Sequence, residues 1–393
     1  MKLIALVLFL LSFSAMAKLD ADLSGNVEAQ GRHAWNNQDA KDDLYQKWDQ
    51  KDFYLIYGNL NGKVELNGSR VEANWFVRHS YSELYRDKYL APQIYTYPNK
   101  LVARDIFQFQ YKKQENNYQI ESILNKLFYE WDYEEHKFAI GRMYINYGQG
   151  EIFNPINPFN QPTGLTSISQ VAQGNDGMAF TFFVNENYSV DFYILGDKQQ
   201  DGYSGQIEKT VWIHGEYQAN EDLQLDYVLG QDQKRLKAGG QVSYQFPSIM
   251  VFGQTLYQSD YVDDTESHPM WDVMLGADQQ VTSKWHVRFE GGYQKKNRFN
   301  QTIDFSSRFL PTEYFAALAN QYDIHPLVKV GLTVINDFKT GFTYGLAKST
   351  FNLKKDLEAD IFAYSPVTKG SESSNVAQKL VTTDIGLALR AFF

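Results

Sequence analysis

Side chains that could carry catalysis are sparse in this 393-residue chain. It has seven histidines and no cysteine, which excludes thiolate nucleophiles, disulfides and cysteine-bound zinc. No G-x-S-x-G or H-E-x-x-H signature is present. Asp323 and His325 are close enough in sequence to form a dyad, but Pro326 follows them in what we interpret as a short turn. The sequence therefore predicts no catalytic residue, no metal site, no cofactor and no enzymatic activity.

Charged side chains follow a different pattern, because many occupy alternate positions between apolar residues. The clearest candidates for one shared polar face are Arg32, Arg78, Arg142, Glu216, Asp226, Asp272, Arg288, Glu290, Asp360 and Arg390. In the wider set of such positions, fourteen acidic residues stand against eight basic ones. Many charges of both signs on one face predict contact with water, since an unpaired charge is costly in a dry interior. Alternatively, most of these charges pair across strands as structural ladders.

The elements that position these charges are predicted to be β-strands. Alternation of period two recurs from residue 21 to the last residue, whereas helical patterning is nearly absent. Asn67-Gly68 joins two alternating stretches, as expected for a hairpin turn. We expect an all-β protein of about eighteen strands, with a range of 16–20, in which residues 101–111 lie inside a large loop.

The connections between strands distinguish a soluble sandwich from a membrane barrel. Short polar turns such as 185–187 and 219–222 alternate with long loops such as 34–50, 82–117 and 148–176. Trp and Tyr recur at strand ends, where amphipathic rings suit a membrane–water interface. Short turns on one rim, long loops on the other and interfacial rings together predict a transmembrane antiparallel up-and-down β-barrel.

The N-terminus predicts export. Lys2 precedes an apolar stretch at residues 3–13, and Ala15-Met16-Ala17 forms an A-x-A cleavage site. The apolar stretch is shorter than the roughly 20 residues that a spanning helix needs. We therefore expect a cleaved signal peptide at residues 1–17 and one barrel domain with long extracellular loops at residues 18–393.

The composition narrows the classes further. Formal net charge is -10, which argues against nucleic acid as a partner. Aromatic residues make up 16% of the chain, which argues against disorder. Mean hydropathy is -0.46, which excludes a bundle of membrane helices.

Two motifs resemble those of known proteins. The alternating end of the chain, with Leu387, Leu389 and the terminal Phe393, resembles the assembly signal of Gram-negative outer-membrane barrels. The stretch that begins Ile140-Gly141-Arg142 and continues through I-N-Y-G-Q-G at 145–150 and I-F-N-P at 152–155 is similar to a motif of porin-like and alginate-export-like outer-membrane proteins. These resemblances imply a location in the outer membrane, contact with its lipid and insertion by the barrel-assembly machinery.

The loop at residues 148–176 has a distinctive composition. Candidate anchors within it are Phe153, Asn154, Pro155, Pro158 and Phe159. Prolines lower the entropy cost of ordering a loop, and aromatic rings gain from burial. Two interpretations stay open: a constriction folded into the barrel, or an ordered cap on its outer rim.

The sequence thus favours a porin-like channel for passive diffusion of small polar or ionic solutes, with a weak preference for cations. The alternative is a barrel that acts as a surface-binding or polysaccharide-export scaffold with little conductance. The sequence leaves open the solute, the pore diameter and whether the chain oligomerises.

Overall fold

A computed structural model of the chain describes residues 20–35, 50–66, 68–82, 110–115, 117–159, 174–198, 207–232, 235–259, 269–294, 313–339, 341–368 and 383–393. The strands in chain order are β1 (Asp20–Trp35), β2 (Gln50–Leu66), β3 (Ser69–Ser82), β4 (Gln110–Glu115), β5 (Tyr118–Tyr133), β6 (His136–Met143), β7 (Asn175–Asn185), β8 (Tyr188–Lys198), β9 (Ile207–Gln218), β10 (Leu223–Asp232), β11 (Arg235–Gln245), β12 (Ile249–Gln258), β13 (Met270–Thr282), β14 (Trp285–Gln294), β15 (Tyr314–His325), β16 (Val328–Asp337), β17 (Phe342–Lys354), β18 (Leu357–Thr368) and β19 (Thr383–Phe392). Over these ranges, no helix has the length and apolar character that a membrane crossing requires.

The sheet is antiparallel throughout and closes on itself. β1 pairs with β2 on one side and with β19 on the other, so the first and last strands leave no open edge. On one side β5 pairs with β3, while on the other its first part pairs with β4 and its second part with β6. β4 therefore extends the wall beyond the end of β6, and the closed barrel has eighteen strands.

The expected all-β barrel of about eighteen strands is confirmed. Residues 101–111 were expected inside a loop, but Gln110 and Tyr111 begin β4. The reason is that β6 is only eight residues long, which leaves the first part of β5 without a partner on that side unless another segment pairs with it. Residues 101–109 and the predicted signal peptide lie outside the described residues.

Alternation along each strand separates the two faces of the wall. In β13, Trp271, Val273 and Leu275 are exposed on the outside, whereas Asp272 and Met274 are buried. A closed wall shields the side chains on its inner face, so residues that alternate with the exposed apolar ones point into the barrel. The apolar face is thus the outer face.

The two rims differ in their connections. On one rim every connection is a short turn, and Gly68 supplies the positive φ of +78° that the β2–β3 hairpin needs. On the other rim many residues separate most consecutive strands, but only two separate β4 from β5 and β10 from β11, and four separate β16 from β17. The connection between β6 and β7 starts on the side of the barrel that faces this second rim, where β4 continues the wall beyond the end of β6.

Candidate functional site: the barrel interior

Residues 144–159, which we call the inner segment, leave the end of β6 and fold into the barrel. Their apolar side chains are buried against inward-facing residues of β8 to β16. Along each of these strands, the inward-facing residues alternate with exposed ones on the outer face. These wall residues are Leu195, Trp212, Val228, Phe252, Leu256, Met274, Phe315, Ala317 and Ile335. Of the two interpretations of this loop, the structure places its described part inside the barrel.

Two aromatic contacts anchor the inner segment. The Phe153 ring meets Phe315 of β15 edge-on, with centroids 5.6 Å apart. The Phe159 ring meets Trp212 of β9 in the same manner at 5.4 Å. Edge-to-face pairs at such distances add to the gain from apolar burial. These two contacts attach the segment to β9 at one side and to β15 at the other.

Local turn chemistry shapes the segment between those anchors. Gly148 has a φ of +81°, and a side chain at Gly150 would collide with the backbone of Phe153. The Asn154 side-chain amide donates to the Tyr147 carbonyl at 2.7 Å. The glycines and asparagine of the sequence motif therefore serve to fold the segment back on itself. Asn154 and the neighbouring Pro155 are both buried, and Pro158 is half-buried.

An ion pair closes the base of the segment. Arg142 on β6 and Asp176 on β7 are cross-strand partners, and they form two hydrogen bonds of 2.7 and 2.8 Å. A third bond of 2.9 Å joins Arg142 to the Leu124 carbonyl. Both side chains are almost completely buried. Arg142 is predicted to line the pore, and its buried guanidinium is held by Asp176 in a bidentate pair.

Glu290 of β14 meets the backbone of the segment directly. It is fully buried, and its carboxylate accepts backbone N–H groups from Glu151 at 2.8 Å, Ile152 at 2.9 Å and Phe153 at 3.1 Å. The Nε of Arg288 donates to the same carboxylate at 2.7 Å. Four donors thus surround one buried carboxylate.

Arg288 extends this contact to a carbonyl of the segment. One of its Nη atoms donates to the Gln149 carbonyl, and the other pairs with Asp278 at 2.7 Å and Glu151 at 3.3 Å. Its guanidinium lies 5.1 Å from the centroid of the Phe252 ring. The cation is therefore outnumbered by the carboxylates around it.

An acidic patch lines β8 to β10 beside the segment. Asp226 and Glu216 are cross-strand neighbours, and His214 lies 3.2 Å from Asp191 and 3.9 Å from Asp226. Gln241 donates to Asp226 at 2.6 Å. Among the described residues, Asp226 and Glu216 form no ion pair with Lys or Arg, although His214 lies close to Asp226. Glu216 is exposed, which puts its carboxylate in contact with solvent.

A second charged cluster lies where the barrel closes. Arg390 of β19 donates to Glu28 of β1 at 2.7 Å and to Glu358 of β18 at 3.0 Å, and it lies 3.6 Å from Asp360. The Tyr57 hydroxyl also donates to Glu28, at 2.6 Å. We call these residues the seam cluster, because they join the first and last strands.

The remaining inner-face candidates are also accounted for. Arg78 pairs with Glu121, and both are buried. Asp272 is buried and accepts a hydrogen bond of 3.1 Å from Gln258. The side chain of Arg32 lies outside the described part of the chain. Thus the structure groups several of the predicted residues into clusters on the inner wall, and their role in lining a pore stays a prediction.

The predicted assembly residues lie at the end of the closing strand. Leu387 and Leu389 are exposed on the outer face of β19. The backbone N–H and carbonyl of Phe393 pair with those of Gly25 at 3.1 and 3.0 Å. Any side chain at position 25 would collide with the Phe393 ring. Phe393 thus adds a pair of hydrogen bonds to the ladder between β1 and β19.

Sequence reasoning missed the apolar residues on the inner wall. A signal for them exists, because Val211-Trp212-Ile213 and Val273-Met274-Leu275 put apolar side chains on both faces of a strand. Such interruptions of the alternation recur on several strands that contact the inner segment. Read together, they mark where a buried loop lies against the wall.

No protein-family model matches the chain, and no curated protein matches it. Solved structures do resemble it over nearly its whole length. OccAB1 of Acinetobacter baumannii gives a TM-score of 0.60 at 10% identity, covering 95% of this chain and 96% of that chain. OccK2 (OpdF) of Pseudomonas aeruginosa gives 0.59 at 9% identity, covering 95% and 98%.

A third similar structure is OccK8 (OprE) of Pseudomonas aeruginosa, with a TM-score of 0.58 at 9% identity and coverage of 95% and 98%. These neighbours are Gram-negative outer-membrane porins. Identities this low carry the fold alone. The predicted resemblance to porin-like barrels is confirmed at that level, and the chain has the fold of the Gram-negative outer-membrane porins.

Proposed function

We propose that this protein is an outer-membrane channel for passive diffusion of small polar or ionic solutes. The observation that carries the proposal is a closed eighteen-strand barrel with an apolar outer face and a charged inner face. An apolar outer face suits lipid, and closure satisfies the backbone hydrogen bonds that lipid cannot. The inner face carries charges of both signs, and removing them from water would be costly. The interior of the barrel is therefore expected to contain water.

The inner segment narrows this channel. It occupies the interior beside β8 to β16, so solutes pass between it and the opposite wall at β17 to β19 and β1 to β3. That opposite wall carries the seam cluster and the Arg78–Glu121 pair. The passage then has the inner segment on one side, and on the other side hydrogen-bonded charges together with the apolar residues Tyr344, Leu346, Phe362 and Ala388.

We further propose a weak preference for cations. Arg288 and Arg390 each lie within 4 Å of three carboxylates, whereas the acidic patch at Glu216 and Asp226 has no Lys or Arg partner among the described residues. An excess of fixed negative charge concentrates cations inside a low-dielectric wall. Screening limits its reach to about 10 Å at 0.1 M salt, so the preference should weaken as salt rises.

Assembly and partners follow from the same proposal. The exported chain would contact outer-membrane lipid through its apolar face and be inserted by the barrel-assembly machinery, which would recognise the strand that ends at Phe393. Nucleic acid is not expected as a partner.

Planar-bilayer recording of the refolded protein tests the proposed function. Steady open steps with a reversal potential on the cation side of zero, under a KCl gradient, are the expected result. A reversal potential on the anion side would refute the cation preference but keep the channel. Absence of conductance from correctly folded barrels would refute the channel and favour the surface-binding or polysaccharide-export scaffold.

A further inference from the structure

We infer that Glu290 is the positioning residue that fixes the inner segment as a permanent constriction, and that Arg288 completes its attachment. The inference rests on the proposed channel function, because it concerns what sets the width of the passage. It assigns a role to the I-N-Y-G-Q-G…I-F-N-P motif, whose glycines turn the segment so that its backbone can reach this carboxylate.

The hydrogen bonds to Glu290 are distributed over both carboxylate oxygens. Oε1 accepts the N–H of Glu151 and the Nε–H of Arg288, while Oε2 accepts the N–H groups of Ile152 and Phe153. Three consecutive backbone N–H groups that converge on one anion form a nest, a known arrangement for binding negative charge. Here the bound anion is a side chain of the wall.

The backbone of the segment is shaped for this purpose. The positive φ of Gly148 and the close approach of Gly150 to Phe153 turn the chain so that successive N–H groups point to one side. The carbonyl of Gln149 points to Arg288 instead, and the N–H of Gln149 donates to Gln241 of β11 at 2.8 Å. Consecutive peptide groups are thus held by three different wall residues.

A fixed segment differs functionally from a mobile gate. Buried hydrogen bonds to a charged acceptor are among the stronger interactions in proteins, and an N–H group that loses its acceptor is costly when it stays buried. We therefore expect the segment to stay in place during permeation, so that it sets a constant width rather than opening and closing. Without the carboxylate, the backbone from Glu151 to Phe153 would lose its acceptor and become more mobile, with the Phe153 ring and the contacts of Gln149 still holding the segment near the wall.

Glu290→Gln is the most informative variant, because it keeps the shape of the side chain. The amide has one acceptor oxygen instead of two, so either the Ile152 and Phe153 donors or the Glu151 and Arg288 donors must face an NH₂ group. We expect single-channel conductance to rise severalfold, with more open-channel noise, while the barrel keeps its heat-resistant migration on gels.

A direct readout of the segment is also accessible. The chain has no native cysteine, so Glu151→Cys offers a unique position for a spin label, and the Glu151 side chain is 67% exposed. In the otherwise native barrel the label should report an ordered backbone. In the Glu290→Gln background its spectral lines should narrow, as expected for a more mobile backbone.

Glu72→Gln is the matched control. It removes the same charge from the inner face of β3, where Glu72 pairs with Arg70 and Lys126 rather than with the inner segment. We expect unchanged label mobility and only a small change in conductance.

The outcomes separate the two proposals. Narrowed lines and raised conductance in Glu290→Gln, but not in Glu72→Gln, support the inference. Unchanged label mobility in a folded Glu290→Gln barrel overturns it, whatever the conductance. If the native barrel does not conduct but the label still becomes more mobile in Glu290→Gln, the channel proposal fails while the attachment of the segment by Glu290 stands.

Discussion

The inner wall of β8 to β16 and the inner wall at the closing seam share an apolar outer face, but different contacts hold their inward side chains. On the first, Trp212, Met274 and Phe315 point inward and are buried under the inner segment. At the seam, Glu28 and Arg390 point inward and pair with each other. The difference shows that inward side chains are held by a folded-in loop in the first region and by ion pairs between neighbouring strands in the second.

Removal of Phe393 should have the largest effect of the changes considered, because it weakens closure of the barrel between β1 and β19. Its backbone forms the last pair of hydrogen bonds with Gly25, and closure is what removes the open edges of the sheet. We expect the truncated chain to be degraded or aggregated before it reaches the outer membrane, as measured by cell fractionation. Phe393→Tyr, which keeps the ring and the backbone, is the control. Normal outer-membrane levels of the truncated chain would refute a role in assembly.

Arg142→Gln should have the next largest effect, on the side that holds the inner segment. It leaves Asp176 as a buried carboxylate without its bidentate partner, which costs about 3–5 kcal/mol. Denaturant unfolding in lipid vesicles measures this loss. Replacing both residues with methionine should recover most of it, since no isolated charge remains. A loss no larger than the roughly 1 kcal/mol of an exposed pair would contradict the buried geometry.

Leu275→Arg tests whether the outer face contacts lipid at β8 to β16 as it does near the closing seam. Leu275 is 64% exposed on β13, and an arginine facing lipid near the midplane costs about 2–4 kcal/mol of unfolding free energy. Ile361→Arg on β18 is the matched change near the seam. Similar losses in both variants are expected in vesicle unfolding experiments. A cost at only one of the two positions would mean that the other does not face lipid.

The smallest effect is expected from Glu216→Gln on ion selectivity. Glu216 is exposed and opposes another carboxylate, Asp226, and among the described residues it forms no ion pair with Lys or Arg. The variant should shift the reversal potential toward zero at low KCl, and less so at high KCl. Glu358→Gln removes an equal charge from the seam cluster, where Arg390 offsets it, and should shift the potential less. Equal shifts would show that local pairing does not matter for selectivity.

Part of the interior was predictable from individual residues. Asp226 and Arg288 were placed on the inner face because each follows an apolar residue in an alternating strand. The pairing of Arg142 with Asp176 was not predictable, because 33 residues separate them and only the β6–β7 register brings them together. Likewise, nothing near Glu290 in sequence indicates that three N–H groups from the inner segment converge on it.

The sequence by itself determined the strands, the approximate size of the barrel and the outer face. These depend on local alternation and turn residues, such as Asn67-Gly68, which act over a few positions. Only the tertiary structure decided where the inner segment lies and which charges are neutralised. Both depend on contacts between residues that are distant in sequence, and the energy of a charge or an apolar ring depends on what covers it. An inward-facing glutamate is thus solvated at position 216, whereas at position 290 it is buried and binds the inner segment.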